Sequence, residues 1–341
     1  MVETKAMVLR EFNKPLVLEE VEEPKYGSGE VLIKVEAAGV CGTDLKIQQG
    51  MVPTKELPLI PGHEVAGVVA ATGAKVGRFR EGDEVLVSFY IPCNNCRSCI
   101  NGRQTICENL KGRIGFEFNG GFAEYVSVPE ECLVLKPKEI SFQQAAVIPD
   151  ALATCYHALV KRAKVKKGDC IVIIGGGGGL GLHALQIARW LGAKVIGVDL
   201  SEEKLKLMRA YGAELVLDGQ SAWSEAVYDY TRRGADHVVA FVYNEQSLEQ
   251  GLKALCKGGQ LVPVAYSPEY TFNALQAHLY EIDLLSTRAA TKKDIEDCLS
   301  LVIQNKVETV IGEVLKMEAL NQGLQLIKNG NLKGRLVIDV E

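Results

Sequence analysis

Cys93, Cys96, Cys99 and Cys107 stand in a C-x2-C-x2-C-x7-C run, downstream of Gly62-His63-Glu64 and of an isolated Cys41. Four thiolates crowded into fifteen residues can converge tetrahedrally on one Zn²⁺ without help from the rest of the chain, and that makes a closed, structural site. The same opening occurs in iron–sulfur runs. Those place the fourth cysteine after three residues and follow it with proline, whereas Cys107 comes after seven and precedes Glu108. Cys41 and His63 lie outside the run and offer one soft and one borderline ligand to a second ion that would keep a position open for substrate. The other cysteines, Cys132, Cys155, Cys170, Cys256 and Cys298, are scattered singly and read as small core hydrophobes. A chain of 341 residues can bury its own core and needs no disulfide framework. No apolar signal stretch opens the sequence, so reduced thiols in a cytoplasmic setting are expected.

A second chemical signature is Gly176-Gly177-Gly178-Gly179-Leu180-Gly181, which fits G-x-G-x-x-G. Glycines there allow a tight turn and let backbone N–H groups approach a pyrophosphate at a helix N-terminus. Asp199, eighteen residues after Gly181, stands where a carboxylate accepts hydrogen bonds from an adenine ribose diol. The plainer alternative is a strand-end Asp in a turn ahead of a helix capped by Ser201. A carboxylate at this point repels a 2′-phosphate, so NAD is expected rather than NADP.

These residues need particular elements to hold them. Runs beginning at Glu30, Glu64, Asp83 and Phe122 are alternating or β-branched and are separated by Gly/Pro/Asp clusters, which predicts a β-rich, barrel-like N-terminal domain. After Pro149 helices and strands alternate, the mark of a parallel sheet with crossover helices. Strands are expected at 170–174, 194–198, 214–217, 237–242 and 260–265, with Leu180, Ala184, Ile187, Ala188 and Leu191 on one helical face between the first two. The stretch 170–188 carries no charged residue apart from His183 and imitates a membrane span, but its glycines break it into strand, turn and helix. Composition agrees with a globular chain of two domains: 47% hydrophobic, 24% charged, net charge −5. Neither a nucleic acid nor a membrane surface is an expected partner, because no basic excess or Lys/Arg run offers itself. A small molecule is.

Taken in order, Gly62-His63-Glu64-x-x-Gly67 with Gly73 and Val76, the four-cysteine lobe and the glycine fingerprint resemble the zinc-dependent medium-chain alcohol dehydrogenases over essentially the whole chain. The resemblance implies a GroES-like catalytic zinc-binding domain at 1–150 and 289–341, and a doubly wound Rossmann NAD-binding domain at 151–288. It implies that Cys41 and His63 bind a catalytic zinc, with Asp150 as third ligand where many members carry Cys. Glu64 becomes a candidate for transient or fourth ligation, and Asp44 for the carboxylate that orients the zinc-bound His. The alternative for Asp150 is that it merely begins a helix over 151–162.

The implied chemistry is oxidation of a small or medium alcohol to its aldehyde or ketone, or the reverse. An alcohol oxygen takes the open zinc position and loses its proton through the Thr43 hydroxyl. Hydride then passes to NAD⁺ held between Thr154 and Leu180. Phe89 resembles a pocket aromatic, and Arg335 resembles an arginine that reaches the cofactor pyrophosphate. Lys46 stands where many relatives have a relay His, and a Lys with an ordinary pKa near 10.4 carries protons poorly at pH 7. Polyol, amino-alcohol or threonine dehydrogenases share every motif, and a nucleotide-binding protein without turnover is the remote alternative. A homodimer or homotetramer is implied.

Overall fold

The computed structural model describes residues 3–242, 244–267 and 269–340, which fold as two units. The first takes the chain up to Ala153 together with Ala290–Ile303 and the residues from Ile311 on; the second takes Thr154–Ala289 and Gln304–Val310. The resemblance assigns 289–341 as one block to the catalytic domain. The excursion 304–310 departs from that, because it is stitched to the second unit: Gln186 exchanges two hydrogen bonds with the Glu308 backbone, and the Val310 N–H donates to His183.

In the first unit a seven-stranded sheet is organised around Glu30–Val40. That strand is almost wholly buried and antiparallel to Glu64–Thr72 along its length. Its first half also pairs with Tyr125–Pro129 and its second half with Arg335–Asp339, so the sheet branches there. Register shifts between Leu32 and Ile33 and between Val35 and Ala37 kink the strand, and bulges of this kind let a sheet curl. The branch sets Val40, Glu64 and Arg335 at neighbouring strand ends, immediately before Cys41 and after His63.

Asp150 arrives by another route. A helix opens at Phe142 behind a Ser141/Gln144 capping box and widens into a π-helical stretch at Ile148–Leu152. The alternative of Asp150 as a helix start is thereby corrected, since the N-cap lies at Ser141 and Asp150 sits inside helical backbone. Single π turns are frequent at functional sites because the extra residue re-aims a side chain.

The second unit is a six-stranded parallel sheet in the order Leu215–Asp218, Lys194–Asp199, Cys170–Ile174, Ala235–Ala240, Leu255–Pro263, Asp283–Leu284. Numbered along the chain this is 3-2-1-4-5-6, the doubly wound dinucleotide-binding order. Cys170–Ile174 is buried at every position, as a central parallel strand covered on both faces must be. The expected strands at 170–174 and 194–198 match closely, whereas the third, fourth and fifth are displaced by one to several residues and the short sixth lay unforeseen. No helix among the described residues is long and apolar enough to cross a membrane.

Candidate active site

Cys41, His63, Glu64 and Asp150 present four ligand atoms that all lie within 4.8 Å of one another, each on a buried residue. Asp150 Oδ2 is 3.6 Å from Cys41 Sγ and 3.8 Å from His63 Nε2, and Glu64 Oε1 is 4.0 Å from the same nitrogen. Zinc bonds of roughly 2.0 to 2.3 Å in tetrahedral array imply ligand separations of about 3.3 to 3.8 Å, so Cys41, His63 and Asp150 suit one zinc ion.

Asp44 organises two of these ligands at once. Its Oδ2 accepts the Cys41 backbone N–H at 2.8 Å and its Oδ1 faces His63 Nδ1 at 3.1 Å. A carboxylate on Nδ1 keeps the proton there and leaves the Nε2 lone pair for a metal. Burial opposes protonation of His63, but the Asp44 charge and hydrogen bonds from the ring to Asp150, Asp44 and Cys41 outweigh it and hold its pKa well above the usual value. An entering metal must therefore displace a proton. Thr43 Oγ1 lies 3.5 Å from Cys41 Sγ. Burial lowers the pKa of Lys46, with the Cys41 charge opposing, so its ammonium is less strongly held than the ordinary value used above.

Arg335 faces two of these carboxylates. Its guanidinium is buried, bonding Glu64 through Nε at 3.1 Å and through Nη2, and Asp150 Oδ2 at 2.9 Å. A side chain so engaged serves as counter-ion to these two carboxylates, because leaving would strand a fully buried Glu64 carboxylate. Phe89 meets the His63 ring edge-on at 5.1 Å, and Phe116, which sequence reasoning passed over, lies 5.2 Å from the same ring and stacks on Phe89 at 6.0 Å. Together they give the site apolar walls.

The four cysteines of the lobe also converge within 4.8 Å, with Cys93 and Cys107 sulfurs 3.4 Å apart and Cys96 and Cys107 3.9 Å apart. Backbone N–H groups aim into the cluster: that of Asn95 does most to lower the Cys93 pKa to about 6, whereas burial and the neighbouring sulfurs push Cys99 up to about 12. A metal would replace this uneven sharing of charge by four thiolates. Cys132, Cys155, Cys170, Cys256 and Cys298 are all buried.

In the second unit the fingerprint turn follows Cys170–Ile174 and opens the helix Gly181–Trp190. Asp199 ends the next strand; its Oδ2 accepts the Gly177 N–H at 2.9 Å and its Oδ1 the Leu200 N–H at 2.8 Å. The plainer reading of this Asp holds, since it ends its strand ahead of a helix that Ser201 caps. Lys204, in the first turn of that helix, brings Nζ to 3.7 Å from Asp199 Oδ1. The sequence reading missed it, though a cation five residues beyond Asp199 was the available signal. Thr154 belongs to the same unit, and its neighbour Cys155 donates from Sγ to the Leu180 carbonyl at 3.1 Å.

Comparison with known proteins agrees with this chemistry. Residues 27–138 match the family model for the alcohol dehydrogenase GroES-like domain, and residues 179–305 that for zinc-binding dehydrogenases. An alcohol dehydrogenase of Geobacillus stearothermophilus is 35% identical over 344 residues, covering 99% of this chain and all of that one. An acryloyl-coenzyme A reductase of Sulfurisphaera tokodaii is 33% identical, covering 98% of this chain and 99% of its own. Among solved structures, an NAD-dependent alcohol dehydrogenase superposes with a TM-score of 0.94 at 31% identity, over 99% of this chain and 100% of the other.

Proposed function

From the premise that the chain belongs to the zinc-dependent medium-chain alcohol dehydrogenase family, we propose that it moves a hydride between a small or medium alcohol, or the matching aldehyde or ketone, and NAD. The observation that carries this reading is the convergence of Cys41, His63 and Asp150, backed by Asp44, into a ligand set of zinc dimensions. Zinc, when bound, supplies Lewis acidity, and NAD supplies the hydride acceptor. Cys41, His63 and Asp150 hold the ion, with Glu64 beside it as a further carboxylate. Asp44 keeps His63 in the ligating tautomer. Thr43 takes the proton of the substrate hydroxyl, and Phe89 and Phe116 exclude water from the site. Cys93, Cys96, Cys99 and Cys107 hold the second, structural zinc.

The residues up to 150 with those from 289 onward, less the excursion 304–310, form the catalytic domain in this reading. The remainder binds NAD, with Gly176, Gly178, Gly179, Leu180 and Gly181 around the pyrophosphate, Asp199 and Lys204 on the ribose, and Thr154 at the nicotinamide. A homodimer or homotetramer is supported by exposed Leu275 and Leu279 on the helix Ala274–Tyr280 and by Leu284 on the exposed edge strand of the parallel sheet. A cytoplasmic location is supported by ten cysteines without a disulfide.

The test is a panel of primary, secondary and diol alcohols offered to the zinc-loaded protein with NAD⁺ and with NADP⁺. NADH formation with at least one alcohol is expected. Inertness towards all of them, with reduction of acryloyl-coenzyme A by NADH or NADPH in the same preparation, would overturn the proposal.

A further inference from the structure

His183 is fully buried in the first turn of the helix Gly181–Trp190, and both of its ring nitrogens are engaged. Nδ1 lies 2.7 Å from the Gly179 carbonyl oxygen, and Nε2 accepts the Val310 N–H at 2.9 Å. Only the neutral ring with its proton on Nδ1 satisfies both partners, since an acceptor faces one nitrogen and a donor the other. Burial pushes its pKa down to about 4, in keeping with a ring that stays neutral. Gln186, one turn on, fixes the partner segment by pairing its amide with the Glu308 N–H and carbonyl at 2.9 and 3.1 Å.

The choice of Gly179 matters. In a regular α-helical turn its carbonyl would accept the His183 backbone N–H, but that N–H goes to Leu180 at 3.1 Å and the imidazole takes the carbonyl instead. Within a planar trans peptide the C=O and the following N–H point in opposite directions. A Gly179 carbonyl tied back to the ring therefore aims the Leu180 N–H outward, beyond the helix N-terminus where an anion binds. We propose that His183 is a positioning residue for the dinucleotide cradle, holding the Gly179–Leu180 peptide so that the Leu180 N–H meets the cofactor pyrophosphate. This rests on the NAD reading above.

Two substitutions separate the ring nitrogens. Asparagine places an amide near Nδ1 and can keep the Gly179 bond, whereas glutamine reaches the place of Nε2 and can keep only the Val310 bond. NADH titration followed by fluorescence is expected to give His183→Asn within about twofold of wild type and His183→Gln weaker by about tenfold, the size of one lost hydrogen bond. KM for NAD⁺ should rise in His183→Gln with kcat at saturating cofactor unchanged. Equal losses, or the reverse order, in a protein whose wild type binds NADH overturn this proposal alone. A wild type that binds no NADH overturns the dehydrogenase reading with it. Should both variants fold poorly, ¹⁵N imidazole NMR of the wild type decides: a proton on Nδ1 is expected, and one on Nε2 overturns the assignment.

Discussion

Arg335 shows how a single side chain carries the electrostatics of the candidate metal site. Cys41, Glu64 and Asp150 bring acidic side chains into a space with almost no solvent, and Arg335 is a cation that bonds both carboxylates. Removing one partner of a buried ion pair costs about 3 to 5 kcal/mol because a charge is left behind uncompensated. Arg335→Met should therefore lower the melting temperature of the zinc-free protein markedly, and zinc should restore much of the loss by taking over as counter-ion. Melting curves with and without added zinc check this. A loss of the same size in both would mean that Arg335 contributes packing alone.

Two glycine-rich or cysteine-rich elements act as units. At Gly181 a Cβ would lie 2.2 Å from the Gly175 carbonyl oxygen and 2.6 Å from the Gly176 Cα, both backbone atoms that cannot swing aside. Gly181→Ala must open the fingerprint turn, and overpacking of this kind costs about 1 to 3 kcal/mol. Weaker NADH binding in a folded protein is the expected outcome, read by titration alongside a denaturant melt. Unchanged affinity would remove the turn from the cofactor site. The cysteine loop carries the opposite expectation. Cys107→Ser breaks a closed ligand set, and structural zinc contributes folding free energy, so zinc content should fall from two to one per chain with a lower melting temperature. Loss of turnover at an unchanged melting temperature would instead place this loop in the chemistry.

Global stability should depend on pH through His183. Its folded pKa of about 4 lies below the ordinary 6.5, so between those values the unfolded chain binds a proton that the folded one refuses. Its contribution is complete above pH 6.5 and is lost progressively as the pH falls towards 4, by about 3 kcal/mol in all. Denaturant unfolding at pH 7 and pH 4.5 measures it against His183→Asn, which has no titrating ring. The variant should lose less stability over that interval than the wild type, and identical losses would show that the ring is not kept neutral by folding.

Local signals in the chain determined both candidate metal sites in outline, the glycine-rich turn with Asp199 after it, and the change from β-rich to alternating texture. Cysteine spacing closes one loop on itself, glycines decide backbone geometry where they stand, and hydrophobic period distinguishes strand from helix within a few turns. Arg335, His183, Phe116 and the excursion 304–310 were decided only by tertiary structure. The two carboxylates that Arg335 bonds, Glu64 and Asp150, are 271 and 185 residues away in the chain, and His183 meets Val310 across 127. An arginine at a strand end or a histidine on an apolar helix looks the same in sequence whether it faces solvent or a distant carboxylate. Burial and the partner that compensates it are properties of the folded sheet, where a branched strand and a crossover bring such residues together.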